Sequence, residues 1–106
     1  MPVFTIIAHL YTLPGKEAEA KAKLAEASRT YLKDNGTLAW TPMQDAKDPT
    51  AWAIVERYEQ QSDVKTHQAN PFFKAFPKVM GPFLDPKRPM KLAHYHEVET
   101  GSRAKL

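Results

Sequence analysis

The chain has 106 residues, of which 42% are apolar and 25% are charged, and its formal net charge is +3. This is enough apolar material for one hydrophobic core, so we predict a single domain over residues 1–106, with a core from about 3 to 98 and a polar tail over 99–106. The sequence contains no cysteine, which excludes disulfides, thiolate nucleophiles and cysteine-bound zinc or iron–sulfur clusters.

The charge pattern and hydropathy limit the partners of the protein. Basic and acidic residues are interleaved over residues 16–33, which is typical of a solvated helix face and not of a nucleic-acid-binding surface. No apolar run approaches the roughly 20 residues that a membrane span needs. The N-terminus lacks a signal-peptide pattern. We therefore expect a cytoplasmic protein that binds neither nucleic acid nor membranes, with Arg103 and Lys105 in a frayed tail.

The first third of the chain predicts a strand followed by a helix. Apolar residues alternate over residues 3–12, which predicts a strand, and Pro14-Gly15 ends it. Helical periodicity follows over residues 16–33, and Asn35-Gly36 is expected to end this helix because both residues tolerate left-handed backbone. The stripe expected to be buried consists of Ala20, Leu24, Ala27 and Tyr31.

Two further strands are predicted over residues 37–44 and 51–59, joined by a polar loop. Pro42 cannot donate a hydrogen bond to a neighbouring strand, so the first of these strands belongs at a sheet edge. Alternation along the second strand places four side chains on one face: Trp52, Ile54, Glu56 and Tyr58.

Two short helices and a last strand complete the order. Ser62 is a candidate cap for a helix through Ala69, and Asn70-Pro71 provides a cap and first-turn proline for a second helix that ends at Gly81-Pro82. Residues 90–98 predict the last strand. The second helix is expected to bury Phe72, Phe73, Phe76 and Met80.

The order βαββααβ predicts an α+β, ferredoxin-like fold, in which a four-stranded antiparallel sheet carries its helices on one face. The first and third strands should be central and the second and fourth should be edges. The residues expected to be buried are Ile6, Ala8, Leu24, Ile54, Phe73 and Phe76.

The face of the sheet away from the helices also needs cover. It carries Thr5, Ile7 and Tyr11, and pairing with a second copy through two-fold symmetry is the simplest way to bury them. We therefore predict a homodimer that associates through its sheets.

Three segments carry a resemblance to a known family: Ile7-Ala8-His9-Leu10, Pro14-Gly15-Lys16-Glu17, and the strand and helices over residues 54–76. From Val3 to Val98 the chain resembles the antibiotic biosynthesis monooxygenase family, and its pattern is most similar to the quinol-monooxygenase type. The resemblance implies a dimeric α/β barrel.

The candidate site combines polar groups with aromatic walls. If the helix carrying His67 folds back over the sheet, His67 meets Glu56 and Tyr58, and we predict these three as catalytic residues. An apolar surrounding would raise the pKa of Glu56 and make it a candidate base near neutral pH. Structural roles for all three stay open: an ion pair for Glu56, core packing for Tyr58 and a helix surface for His67. The predicted substrate-binding walls are Trp52, Ile54, Phe72, Phe73 and Phe76.

The resemblance implies a cofactor-independent monooxygenase that oxidises a small aromatic quinol or phenol with O2, with neither cofactor nor metal. Members that oxidise polycyclic phenols place an aromatic donor where this chain has Tyr58, although they have an asparagine at the position of Ile54. Haem-degrading relatives have a tryptophan at the position of His67, an iron-ligating histidine at Pro77 and an asparagine at Ala8. These departures argue against haem chemistry.

Other hypotheses remain open. The same barrel serves non-catalytic small-molecule-binding or stress-response proteins. His94-x-His96, with His9, could hold a metal, although histidines at an edge strand or dimer contact are the better interpretation. Removal of Met1 would expose the secondary amine of Pro2, a group that tautomerases use as a base.

Overall fold

The predicted order of elements is confirmed by the computed structural model, which describes residues 2–101. Met1 lies outside the described residues, as do Arg103 and Lys105. None of the helices within 2–101 is long and apolar enough to cross a membrane. The elements are β1 (Phe4–Tyr11), α1 (Glu17–Tyr31), β2 (Thr37–Gln44), β3 (Ala51–Tyr58), α2 (Asp63–Ala69), α3 (Pro71–Met80), one 3₁₀ turn (Gly81–Phe83) and β4 (Lys91–His96).

The four strands form an antiparallel sheet in the order β2-β3-β1-β4, so the predicted central and edge strands are confirmed. Pro42 lies in the edge strand β2, opposite Ile54. The register aligns one row of side chains across all four strands on the face beneath the helices. This row consists of Trp40, Glu56, Ile6 and His94.

The core lies between this face and the helices. The predicted stripe of α1 is buried, as are Ile6, Ala8 and Ile54. Full burial of the α3 phenylalanines was a wrong prediction, since Phe72, Phe73 and Phe76 are all half-buried. Two of these rings, Phe73 and Phe76, pack against the core on one side and line a cavity on the other, so part of each ring remains accessible.

Helix α1 ends at Tyr31, two residues earlier than predicted, and its last turn closes on Leu32. Gly36 takes the left-handed conformation, with φ = +86°, whereas Asn35 does not. A Cβ atom on Gly36 would overlap the carboxylate of Asp63. Glycine therefore allows the turn between α1 and β2 to lie directly against the start of α2.

The caps of α2 and α3 differ from each other. Ser62 makes no side-chain cap, contrary to the prediction. Asn70 caps α3 as predicted, because its Oδ1 accepts a hydrogen bond from the Phe72 backbone N–H at 2.9 Å. The Nδ2 group of Asn70 also donates to Oδ1 of Asp34 at 2.9 Å. This second bond joins the α2–α3 junction to the end of α1.

A polar network stabilises the opposite face of the sheet. Arg57 donates two hydrogen bonds to Glu97, Nε to Oε2 at 2.7 Å and the guanidinium NH2 to Oε1 at 2.9 Å. Thr5 donates to Oε2 of the same carboxylate at 2.6 Å. The bonds from Arg57 and then Thr5 lower the pKa of Glu97 to about 2. These hydrogen bonds to Glu97 connect the chain after β4 to the two central strands, β1 and β3.

We expect Glu97→Gln to lower the free energy of unfolding by about 1 kcal/mol at pH 7, because the carboxylate is partly exposed. The folded-state pKa lies below the ordinary value of 4.5, so this contribution is present above pH 4.5 and disappears as the pH falls toward 2. Urea unfolding of both proteins over this range would measure it. Glu26→Gln, which breaks an exposed ion pair with Lys23, is the control. If the difference in unfolding free energy between the wild type and Glu97→Gln did not decrease in acid, the stabilising role of the Glu97 carboxylate would be contradicted.

Candidate functional site

A cavity of about 250 Å³ lies between the sheet and the helices. Part of the floor of the cavity is the row of sheet side chains that includes Glu56. The adjacent row of the sheet adds Ile54 and Ala8. Leu92 of the edge strand lies at one side of the cavity and is 55% exposed. Met90, just before β4, also lines the cavity. The helices contribute the rest of the wall, which consists of Tyr31, Val64, His67, Gln68, Phe73, Phe76 and Pro77.

Three of the five predicted walls line this cavity: Ile54, Phe73 and Phe76. Trp52 and Phe72 do not line it. Trp52 is buried in the core, where its indole N–H donates to Oγ1 of Thr12 at 3.1 Å. Phe72 packs edge-on against Tyr31, with ring centroids 5.5 Å apart, and does not reach the cavity.

The structure brings together the three predicted catalytic side chains. The hydroxyl of Tyr58 donates to Oε1 of Glu56 at 2.6 Å, and both side chains are buried. Nε2 of His67 lies 3.7 Å from the same oxygen. Glu56 and His67 line the cavity, whereas Tyr58 lies behind Glu56. Their adjacency is a geometric finding, and their roles in catalysis stay a prediction.

Burial determines the ionisation of this group. Desolvation raises the pKa of Glu56, and the Tyr58 hydroxyl and the nearby Trp40 indole act in the opposite direction. Burial also raises the pKa of Tyr58, and the adjacent charge of Glu56 raises it further. Tyr58 therefore stays protonated at neutral pH and acts as a hydrogen-bond donor to the carboxylate.

His67 is almost completely enclosed, with 4% of its surface exposed. Its ring packs edge-on against Tyr31 at 4.2 Å and against Phe73 at 4.9 Å between centroids. Desolvation lowers the pKa of His67, although the carboxylate of Asp34 opposes this effect. The imidazole is therefore neutral at pH 7 and can accept a proton.

Sequence analysis did not assign His94 to the cavity. His94 lies opposite Ile6 on the face beneath the helices, and it lines the cavity. His9 is three residues further along β1 and points to the other face, so the suggested metal set of His9 with His94 is wrong. Within residues 2–101 there is no group of three or more histidine or acidic residues placed to hold a metal ion.

Two further donors were also missed. The hydroxyl of Tyr31 and the indole Nε1 of Trp40 are buried and make no hydrogen bond of ordinary geometry within residues 2–101, although the indole is near enough to Glu56 to lower its pKa. Both residues line the cavity. The periodicity of α1 indicated that Tyr31 is buried but not where its hydroxyl lies. A buried donor without a partner costs free energy, so these two groups are suited to bind an acceptor on a ligand.

The arrangement can perform a limited chemistry. The walls are mostly apolar, which favours a flat, apolar molecule. A neutral imidazole and a carboxylate of raised pKa can remove a proton from such a molecule. The unpartnered donors of Tyr31 and Trp40 can then bind a negatively charged oxygen.

Comparisons with known proteins agree with this architecture. A Pseudomonas aeruginosa protein of solved structure has a TM-score of 0.83 at 18% identity, with 93% of this chain and 97% of that chain covered. A "putative antibiotic biosynthesis monooxygenase" from Nitrosomonas europaea has a TM-score of 0.84 at 16% identity, with 92% of each chain covered. A protein of the same description from Bacteroides thetaiotaomicron has a TM-score of 0.82 at 19% identity, with 98% of this chain and 97% of that chain covered. At these identities the likeness shows the ferredoxin-like fold.

The curated proteins contain no significant match to the sequence. The family model for antibiotic biosynthesis monooxygenases matches residues 3–79, from β1 to the end of α3. This match covers most of the chain and includes Glu56, Tyr58 and His67. The chain belongs to the antibiotic biosynthesis monooxygenase family.

Proposed function

We propose that this protein is a cofactor-independent monooxygenase that oxidises a small aromatic quinol or phenol with O2. The observation that carries the proposal is the contact between Glu56 and His67, which are buried together beside an apolar cavity, 3.7 Å apart. Family membership supports oxygenase chemistry. The apolar walls support an aromatic substrate.

The substrate supplies the electrons in this proposal. Deprotonation by His67 or Glu56 converts a phenol-type substrate into an electron-rich anion, which reduces O2 directly. For an anthrone, whose ring methylene loses both hydrogens, one oxygen atom becomes the new carbonyl and the other leaves as water. Two C–H bonds are thereby exchanged for a C=O bond, and the four electrons that O2 accepts all come from the substrate.

The protein contributes binding and electrostatics. Phe73 and Phe76 provide aromatic surface for the substrate ring. We assign oxyanion binding to the hydroxyl of Tyr31 and the indole of Trp40, because neither donor makes a hydrogen bond of ordinary geometry within residues 2–101. The hydroxyl of Tyr58 is bonded to Glu56. We assign it to holding the carboxylate in position.

A non-catalytic binding or stress-response protein is the second candidate. The hydrogen bond between Tyr58 and Glu56 favours it, since a carboxylate held at 2.6 Å can also serve a purely structural purpose. Both candidates use the same cavity. They differ in whether bound ligand is turned over.

We also propose that two copies pair through the sheet face opposite the helices. Met43 and Tyr95 on this face are 43% and 51% exposed, which is unusual for large apolar side chains. Sedimentation should therefore detect a dimer at micromolar concentration. Val55→Asp, in the middle of β3, should shift the equilibrium toward monomer without loss of helical signal. Lys78→Glu, exposed on α3, is the control, and a wild-type monomer would refute dimerisation.

Oxygen uptake with a panel of hydroquinones, anthrones and naphthols tests the reaction directly. We expect at least one compound to consume one O2 per molecule oxidised, without added flavin or metal. Ligand binding should be measured on the same panel by calorimetry. Tight binding of one member with no uptake across the panel would favour the non-catalytic protein.

On an active substrate, Glu56→Gln and His67→Ala separate the two candidate bases. Loss of the base should lower turnover by about 10²–10⁴-fold and leave ligand affinity nearly unchanged. Glu59→Gln makes the same substitution at an exposed position three residues away and should have wild-type kinetics. Full turnover in both Glu56→Gln and His67→Ala would show that the site assignment is wrong.

A further inference from the structure

We propose that Asp34, in the turn between α1 and β2, is a positioning residue that fixes the tautomer of His67. It would hold the proton of His67 on Nδ1, beside Oδ2 of Asp34, and leave the lone pair on Nε2. Asp34 takes the single N–H because its Oδ2 accepts no other hydrogen bond within residues 2–101, whereas Oε1 of Glu56 already accepts from Tyr58. The kinetic part of this proposal rests on the proposed function, whereas the tautomer itself does not.

The geometry places His67 between two carboxylates. Its Nε2 lies 3.7 Å from Oε1 of Glu56, and its Nδ1 lies 3.9 Å from Oδ2 of Asp34. Nδ1 and Oδ2 are both buried, and neither makes a hydrogen bond to any residue within 2–101. A closer approach of about 1 Å would make a hydrogen bond between them. Catalytic hydrogen bonds are often long in a ligand-free site and shorten when substrate binds.

The orientation of Asp34 is determined by its neighbour. Asn70 accepts from the Phe72 N–H through Oδ1, so its Nδ2 group must be the one that faces Asp34. Nδ2 donates to Oδ1 of Asp34, which leaves Oδ2 for His67. An ionised carboxylate can only accept hydrogen bonds. Nδ1 of His67 must therefore carry the proton for the two groups to bond.

Other ionisable groups face the imidazole from each packed element. Glu56 and Tyr58 come from β3 and Tyr31 from α1, and His94 of β4 lines the same cavity. Asp34 is the group whose charge raises the pKa of His67 against desolvation. Asp34 would therefore orient the imidazole and increase its basicity together.

Asp34→Asn provides a sharp test because Asn70 constrains the new amide. The amide oxygen would take the bond from Asn70, and its NH2 group would face Nδ1 of His67. Nδ1 must then accept, so we expect the proton to move to Nε2. Long-range ¹H–¹⁵N correlation spectra of the ligand-free protein, recorded above the pKa of His67, distinguish the two tautomers.

The spectra should show Nδ1–H in the wild type and Nε2–H in Asp34→Asn, with a lower His67 pKa in the variant. Asp63→Asn makes the same substitution on α2 and should keep the wild-type tautomer. Nε2–H in the wild-type protein would overturn the proposal without any variant, so the test does not depend on Asp34→Asn folding. An unchanged tautomer in a folded Asp34→Asn protein would also overturn it.

On an active substrate, Asp34→Asn should lower kcat and leave KM nearly unchanged. The decrease should lie between about 10-fold and the roughly 10⁴-fold that the wrong histidine tautomer costs a serine protease. Because the pKa of His67 should be lower in Asp34→Asn, kcat should begin to rise at a lower pH in this variant than in the wild type. If no substrate is turned over by the wild type, the proposed function fails, while the spectra still decide the role of Asp34.

Discussion

The structure depends on enclosing a neutral imidazole between two carboxylates. His67 cannot occupy this position unless three separate parts of the chain come together, namely the end of β3, the turn after α1 and the short helix α2. Buried polar groups are costly unless partners are supplied for them. Each carboxylate has such a partner: Glu56 accepts a hydrogen bond from Tyr58, and Asp34 accepts one from Asn70. The bond from Asn70 joins the junction of α2 and α3 to the turn that carries Asp34, and the bond from Tyr58 holds Glu56 beside the cavity.

This arrangement explains why α3 does not pack fully onto the sheet. Asn70 begins α3 while it is bonded to Asp34, so the helix starts above the end of α1 and continues over the cavity. Phe73 and Phe76 then pack against the edge of the core and also line the cavity. Full burial of these rings would add hydrophobic stabilisation but would fill the cavity. The half-buried aromatic face is the consequence of keeping the cavity open.

Period-two and period-3.6 patterns predicted the elements well because they depend on local sequence. The alternation that placed Glu56 and Tyr58 on one face needed no tertiary information, and neither did the Asn70 cap. The failures concern relations between elements. Which side of α3 faces the cavity, and hence the exclusion of Phe72, depends on how a short helix is rotated over the sheet. His94 is in the site because of strand register, which the sequence of β4 alone does not determine.

The bond between Tyr58 and Glu56 changes how the site would stabilise charge. In relatives that oxidise phenols, the resemblance implied a donor to the substrate at this position. Here that hydroxyl is committed to a carboxylate whose pKa burial has raised. In the proposed mechanism, stabilisation of a substrate oxyanion would therefore fall to Tyr31 and Trp40, whose buried donors make no hydrogen bond of ordinary geometry within residues 2–101. A ligand with an acceptor oxygen would satisfy donors that the fold leaves unpaired, and this is a physical reason for the cavity to bind phenolate-like molecules in preference to plain hydrocarbons.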